Sequence, residues 1–177
     1  MRRRIPLAVM LCTVAALASP APASADTSGG TPVTLTVAGQ GTLGITVPTG
    51  TTSLGTTASS DSPQQISGQL GNVTVSDLRS GTAGWTVTAN AVDFTGPQNI
   101  SVSAPGSSSY APGTVTTTGT VTATATNLSP LYPPGAVVTA TGVSGNNTAS
   151  WNPTISVTVP ANALAGTYSS TVTHSVA

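Results

Sequence analysis

The sequence predicts an all-β protein, an antiparallel sandwich of about seven to nine short strands. Apolar residues alternate with threonine and serine at a period of two, only 5% of the 177 residues are charged, and lysine and glutamate are absent. The alternation indicates strands with one buried and one solvated face. The missing surface helix formers exclude a bundle of charged amphipathic helices.

The first 25 residues have the features of a secretory signal peptide. Three arginines precede an apolar run over residues 5–18, and Ala23-Ser24-Ala25 supplies the small-x-small pattern of a cleavage site. The run is shorter than a membrane-spanning helix requires. Cys12 lies inside it, so a chain cut after Ala25 has no thiol, disulfide or thiolate metal site. We expect a secreted protein, extracellular or associated with the cell wall, without membrane contact after cleavage.

The expected mature chain, residues 26–177, has the length of a single domain. Its 152 residues suffice to bury a core without disulfide staples. Arg79 is its single base against four aspartates, which gives a net charge of −3. Proteins that bind nucleic acid neutralise several phosphates with lysine and arginine, so the composition excludes a strongly basic nucleic-acid binder.

Five segments show the alternation most clearly. Strands are predicted at residues 33–37, 73–76, 85–91, 155–159 and, at the end of the chain, 168–176. Trp85 shares its parity with Val87, so we expect its side chain to be buried between the two sheets. His174 shares its parity with Val176 and is expected to be half-buried in the last strand.

Turn-forming residues separate these strands. Loops or turns are predicted at residues 49–63, 104–113, 127–135 and 143–147, which are rich in glycine, proline, serine or asparagine. One helical turn is predicted over residues 161–165, ended by Gly166. Trp151 precedes Asn152-Pro153 at a turn, so we expect its side chain to be partly exposed.

One predicted strand has an unusual composition. Threonine occupies every even position from 114 to 126, seven in all, and the odd positions between them are mostly small or apolar. A strand with this pattern has a continuous threonine face, which could order water or bind a flat polysaccharide. The alternative interpretation is that threonine is simply the solvent-side residue of a secreted β-protein that avoids charge.

Few residues could carry chemistry. His174 is the single histidine, and the aspartates are too scattered for the ligand spacing of a zinc or calcium site. Asp77 and Asp93 are the one conceivable carboxylate pair for glycoside hydrolysis. However, Asp77 and Arg79 lie two residues apart on one strand face and are expected to pair, and Asp93 is typical of a turn at a strand end. We therefore expect no enzymatic activity, no cofactor and no metal.

Two blocks of the sequence resemble the WxL domain of surface proteins from Gram-positive bacteria of the actinobacterial type. The first block contains, in order, Val73, Val75, Asp77, Arg79, Gly84, Trp85, Val87, Asp93 and Phe94. Val87 stands where the first signature has leucine. The second block, residues 165–176, has the layout of the closing signature, with the aromatic Tyr168. In this block His174 replaces the second tryptophan and Val176 replaces the leucine.

The resemblance covers roughly residues 70–177 and implies an immunoglobulin-like sandwich attached non-covalently to peptidoglycan. Together with Trp151, whose ring could stack on a sugar, the candidate wall-binding or signature residues are Asp77, Arg79, Trp85, Val87, Trp151, Tyr168 and His174. We expect a secreted, non-enzymatic binding protein whose partners are peptidoglycan, another surface polysaccharide or other surface proteins. Two alternatives remain open: a structural or adhesive subunit of a surface layer or fibre, and an enzyme that acts on polysaccharide.

Overall fold

In the part of the chain that the structure describes, nine antiparallel strands in two sheets form the fold, which confirms the predicted all-β sandwich. The computed structural model describes residues 31–39 and 41–177, and that part of the chain contains no helix. The strands are β1 (Leu43–Thr46), β2 (Gln64–Gln69), β3 (Val73–Asp77), β4 (Trp85–Ala91), β5 (Ser108–Ala111), β6 (Thr116–Ala125), β7 (Gly135–Trp151), β8 (Thr154–Val159) and β9 (Val172–Val176).

The larger sheet has the strand order β1-β3-β7-β4-β9, with β6 also paired to β7, and the smaller sheet has the order β2-β8-β5. Among the described strands, β6 and β7 are the only consecutive pair that lie side by side. Every other pair joins strands that are distant in sequence, because the chain passes repeatedly from one sheet to the other. The apolar faces of the two sheets cover each other, which produces a sandwich.

The longest strand, β7, organises the larger sheet because its 17 residues pair with three other strands. Its C-terminal part lies beside β3, with Trp151 opposite Val73, and its N-terminal part lies beside β4, with Ala140 opposite Trp85. Ala140 also lies opposite Ala123 of β6. Strand β6 therefore occupies the side of β7 away from β3 and β4.

The core lies between the sheets on the parity that the alternation predicts. Val75 of β3 and Val87 of β4 are fully buried, and Ile155 of β8 is 1% exposed. Trp85 is 3% exposed, so the prediction that its side chain is buried is confirmed. Burying one side chain of this kind contributes about 1.5–3 kcal/mol, which makes the alternating valines a main source of stability.

The alternating segment near the N-terminus is not a strand. Residues 31–39 pair with no described strand, and Val33, Leu35 and Val37 are 92%, 89% and 83% exposed. The strand predicted at residues 33–37 is therefore wrong, because alternation gives a segment the capacity to pair but does not provide a partner. A compact unit spans Val37–Ala177. The predicted signal peptide, with Cys12 and the cleavage site, lies outside the described residues.

The turn predicted at residues 143–147 is also wrong, because this segment continues β7. Gly142 and Gly145 have φ angles of +61° and +74°, a region that glycine adopts without strain. Opposite them, the register between β6 and β7 shifts between Thr118 and Thr120 and again between Thr120 and Thr122. The turn-forming residues are therefore accommodated as bulges in a strand that neighbours hold in place.

Three smaller differences concern the ends of elements. In place of the helical turn predicted over residues 161–165, residues 161–162 form a turn, with Asn162 at a φ of +58°. The loop predicted at residues 104–113 contains the short strand β5. The closing strand is shorter than its alternation suggests, since it begins at Val172 and is preceded by one bridge between Ser169 and Thr95.

Candidate functional site

Asp77 and Arg79 form an ion pair at the end of β3, as their spacing predicted. Arg79 Nε donates to Asp77 Oδ1 at 2.9 Å, and Arg79 Nη2 donates to Asp77 Oδ2 at 3.0 Å. Asp77 is 1% exposed, while the Arg79 side chain is 31% exposed. The hydrogen bond from Arg79 holds the pKa of the Asp77 carboxyl below its usual value, so the carboxylate stays ionised.

The same carboxylate is connected to Trp85 through Asn147. Asn147 Nδ2 donates to Asp77 Oδ2 at 3.3 Å, and Trp85 Nε1 donates to Asn147 Oδ1 at 3.2 Å. Strands β3, β4 and β7 thus bring together three residues of the first signature block. Asn147, which completes this first network, falls in a segment predicted as a turn, so sequence reasoning missed its role.

Arg79 also fixes the loop that follows β3. Its Nη2 donates to the carbonyl oxygens of Ala83 and Gly84, both at 3.1 Å. The loop is held to β7 as well, because Gly145 N donates to Gly81 O at 2.9 Å. Arg79 therefore links a buried carboxylate to backbone carbonyls, an arrangement that stabilises the end of the sandwich.

A second network joins Trp151, Tyr110 and His174. Trp151 Nε1 donates to the Tyr110 hydroxyl at 2.9 Å, and that hydroxyl lies 3.0 Å from His174 Nε2. An indole N–H can only donate, so the Tyr110 oxygen accepts from Trp151 and its own proton is free for His174. When the neutral imidazole carries its proton on Nδ1, His174 Nε2 accepts this hydrogen bond, and Trp151, Tyr110 and His174 form a directed chain.

The residues of this second network are largely buried. Tyr110 is fully buried, and burial raises the pKa of its hydroxyl to about 12. Burial also lowers the pKa of His174, which is half-buried as the alternation predicted. Trp151 is 2% exposed, so its predicted exposure is wrong: the residue ends β7 opposite Val73 instead of lying in a turn.

The remaining candidate residues also have local partners. Val87 is fully buried and lies between Val138 of β7 and Val176 of β9. The Tyr168 hydroxyl donates to Leu164 O at 2.7 Å, and the residue is half-buried without a hydrogen bond to either network among the described residues. Asp93 Oδ1 accepts a hydrogen bond from Val102 N at 2.9 Å, which confirms its predicted role at a strand end.

The threonine face lies on β6 and the residues that directly flank it, and it is exposed along its whole length. All seven threonines at even positions from 114 to 126 are exposed, whereas Val121 and Ala123, on the other parity, are half-buried against the core. Thr118 Oγ1 is hydrogen-bonded to Thr148 Oγ1 at 2.6 Å. The hydroxyls of Thr120, Thr122 and Thr124 form no hydrogen bond with any described residue, so they are available to an external partner.

Very little charge surrounds this face. The ionisable side chains of residues 27–177 are Asp61, Asp77, Arg79, Asp93 and His174, together with three tyrosines. The ion pair described above neutralises two of the charges. Within residues 31–39 and 41–177, no three histidine, cysteine or acidic residues come together as metal ligands. No helix in this same part of the chain is long and apolar enough to cross a membrane.

One open depression lies beside the ends of β5 and β8. It has a volume of about 490 Å³ and is lined by Pro63, Asn99, Ile100, Ser101, Pro105, Gly106, Ser107, Thr158, Pro160 and Ala161. None of these side chains titrates, so the depression holds no general acid or base.

Comparisons of the chain with protein-family models, curated proteins and solved structures found no match. The fold and the candidate site therefore define a class in structural terms: an all-β sandwich with two buried polar networks and an uncharged, hydroxyl-rich outer strand. The similarity to WxL domains stays a prediction from the sequence.

Proposed function

We propose that the chain is a secreted, non-enzymatic protein of the cell surface that associates non-covalently with the cell wall, through peptidoglycan or a similar polysaccharide. The observation that carries this proposal is the exposed threonine face of β6 on a surface with almost no charge. Threonine hydroxyls both donate and accept hydrogen bonds, as sugar hydroxyls do, and their methyl groups offer small apolar contacts.

In this proposal the buried signature residues stabilise the fold and do not contact the polymer. Asp77, Trp85 and Trp151 are at most 3% exposed, so their side chains contact the protein interior and leave the polymer to residues on the surface. Among the aromatic residues, Tyr132 offers the largest exposed fraction, 53%. Its ring could stack on a sugar.

The test is a sedimentation assay on purified peptidoglycan with hydroxyl-specific variants. Replacing Thr120, Thr122 and Thr124 by valine keeps the shape and β-propensity of each residue and removes three hydroxyls. We expect the bound fraction to fall, while the matched threonine-to-serine variant, which retains the hydroxyls, still binds. Thr173→Val on β9, another exposed strand threonine, is the positional control. Equal binding by the valine and serine variants would refute a role for the threonine face.

The response to salt tests the uncharged character of the interaction. Attraction between exposed charges is screened over about 10 Å at 0.1 M salt, whereas neutral hydrogen bonds and stacking are not. We expect binding to isolated cell wall to stay nearly constant from low to high sodium chloride, and to survive removal of anionic wall polymers. A loss of about tenfold or more on raising the salt is the mark of counterion release and would contradict the proposal.

A structural subunit of a surface layer or fibre is a second candidate, favoured by a different observation. Strand β6 has ten residues without a charge or a proline, and in the described structure it pairs on one side only. Proteins normally protect such edges with charges, prolines or covering segments, because an open edge recruits further strands.

A further inference from the structure

An unpaired segment near the N-terminus has the pattern of a strand that lacks its sheet. Residues 31–37 read Thr-Pro-Val-Thr-Leu-Thr-Val. Val33, Leu35 and Val37 are 83% to 92% exposed, and the segment pairs with no described strand. In an extended conformation these three side chains share one face and the threonines share the other. Among the residues that the structure describes, the segment thus has an apolar face without a core and backbone groups without partners.

The outer edge of β6 is the acceptor in this molecule that best fits such a segment. The other terminal strands are shorter: β1 and β5 have four residues and β9 has five. Strand β2 has six residues, and the loop before it packs on its face, because the Leu54 backbone lies too close to Gly68 for any side chain there. Strand β6, with ten residues, offers the length that a seven-residue partner requires.

The faces of the two segments match. On β6, Val121 and Ala123 are half-buried at the margin of the core, and Thr120, Thr122 and Thr124 are exposed on the opposite face. A strand added there with its valines and leucine on the inner side extends the core over Val121 and Ala123. Its threonines then lie beside those of β6, in the cross-strand threonine pairs that stabilise sheets.

We propose that residues 31–37 of one copy of this chain add as a strand to the outer edge of β6 in a second copy. Both the segment and the edge are unpaired within the described residues of a single copy, so a second copy supplies what each lacks. Main-chain hydrogen bonds provide the affinity in this type of strand addition, and the alternating side chains provide the register.

The geometry of this contact determines the assembly that it produces. The donor segment and the acceptor edge are different surfaces, so the interface is heterologous and each copy keeps one free donor and one free acceptor. Copies therefore add head to tail into a chain or ring. The contact uses the backbone edge of β6, whereas the proposed wall contact uses its threonine face, so neither proposal depends on the other.

The experiment uses two variants of the secreted chain that each disable one side of the contact. Val33→Asp/Leu35→Asp places carboxylates on the apolar face of the donor. Val121→Lys places an inward-pointing lysine on the acceptor, the device with which natural proteins protect edge strands. By light scattering, we expect the unmodified chain to grow in mass with concentration, each variant alone to be monomeric, and an equimolar mixture to form one-to-one dimers.

Two controls test whether the association depends on the parity of the donor and on the edge of β6. Thr34→Asp/Thr36→Asp adds the same charge on the opposite parity of the donor and should still associate. If Val121→Lys does not fold, as judged by the near-ultraviolet signal of the buried tryptophans, Ala125→Lys replaces it, because Ala125 shares the inner parity of Val121 on the same strand but is exposed. We expect the association constant of each disabled variant to fall by about tenfold or more.

Three results would overturn the proposal. The first is an unmodified chain that stays monomeric at every concentration. The second is a donor variant that still self-associates, because that outcome would indicate a symmetric contact between two β6 edges. The third is a monomer in which the amides of residues 33–37 are protected from hydrogen exchange, since the segment would then pair within its own copy. Wall binding by that monomer would leave the proposed function intact.

Discussion

Strand β4 and the segment at residues 31–37 have the same sequence pattern and opposite environments. Both alternate apolar residues with threonine. From Trp85 to Ala91, the apolar side chains of β4 on the inner parity are at most 3% exposed. In the N-terminal segment, the three corresponding side chains are at least 83% exposed.

The two segments differ in the strands that lie beside them. Strand β4 has β7 on one side and β9 on the other, so its backbone groups are satisfied and its inner face meets the smaller sheet. The N-terminal segment has no such partners among the described residues. A period of two therefore indicates which side chains will share a face, and the partner strands determine whether that face becomes buried.

The largest loss of stability is expected from a substitution of Trp85, the buried tryptophan of β4. Trp85→Ala removes a buried indole that packs in the core and donates to Asn147, so we expect the free energy of unfolding to fall by about 3–5 kcal/mol. Urea denaturation followed by circular dichroism measures this change. Leu35→Ala is the matched control in the exposed segment. A Trp85→Ala protein with an unchanged denaturation midpoint would contradict this comparison, because it would show that burial of the β4 side chain does not stabilise the fold.

A smaller effect should follow from removing one polar atom from the second network. Tyr110→Phe keeps the buried ring and leaves Trp151 Nε1 and His174 Nε2 without their partner. We expect a loss of about 1–3 kcal/mol, the usual result of leaving a buried polar group unsatisfied. Tyr132→Phe, at a position that is 53% exposed, is the control and should change little. Equal stability of the two variants would contradict the hydrogen-bond chain.

The pH dependence of stability tests the burial of His174, which lies on β9 beside β4. Burial lowers the pKa of His174 in the folded protein, so the unfolded chain binds the proton more readily. This contribution to stability is complete above the unfolded pKa of about 6.5 and is lost as the pH falls through the folded pKa. We expect the denaturant midpoint of unfolding to decline as the pH falls from the unfolded pKa to the folded pKa of His174. It should decline less in His174→Gln. The separate contribution from Asp77 is lost only below its usual pKa of about 3.9.

The smallest effect on folding is expected in the N-terminal segment. Val33→Asp/Leu35→Asp changes two exposed side chains, so we expect the unfolding free energy of the monomer to change by less than about 0.5 kcal/mol. The same double change in β4, at Val87 and Ala89, should prevent folding, because both positions are at most 1% exposed. Marked destabilisation by the N-terminal change would mean that this segment packs on its own sandwich.

The fold class and much of the core were predictable from the sequence because they depend on local parity. Trp85, Val87 and His174 lie on the predicted faces, and the Asp77–Arg79 pair follows from a spacing of two residues on one strand. The all-β architecture follows from the same alternation. None of these predictions requires knowing which strands become neighbours.

What could not be predicted depends on contacts between distant parts of the chain. Trp151 was expected at a turn because Asn152-Pro153 follows it, but its environment is set by Val73 and by Tyr110, 41 residues away. Tyr110 meets His174 across 64 residues, and no local signal marks either contact. The segment at residues 143–147 carries turn-forming residues, yet β6 and β3 on its two sides hold it in a strand.

The central position of β7 has a consequence for the timing of folding. Strands β3 and β4 are complete by residue 91, but both pair with β7, which begins at residue 135, and β4 also needs β9, which begins at residue 172. The smaller sheet has the same dependence, since both of its outer strands pair with β8. Early parts of the chain therefore have few stable partners until late parts are present, and such long-range pairing makes folding slow. If the chain is exported as we propose, this arrangement would delay formation of the sandwich until the last strands have left the export channel.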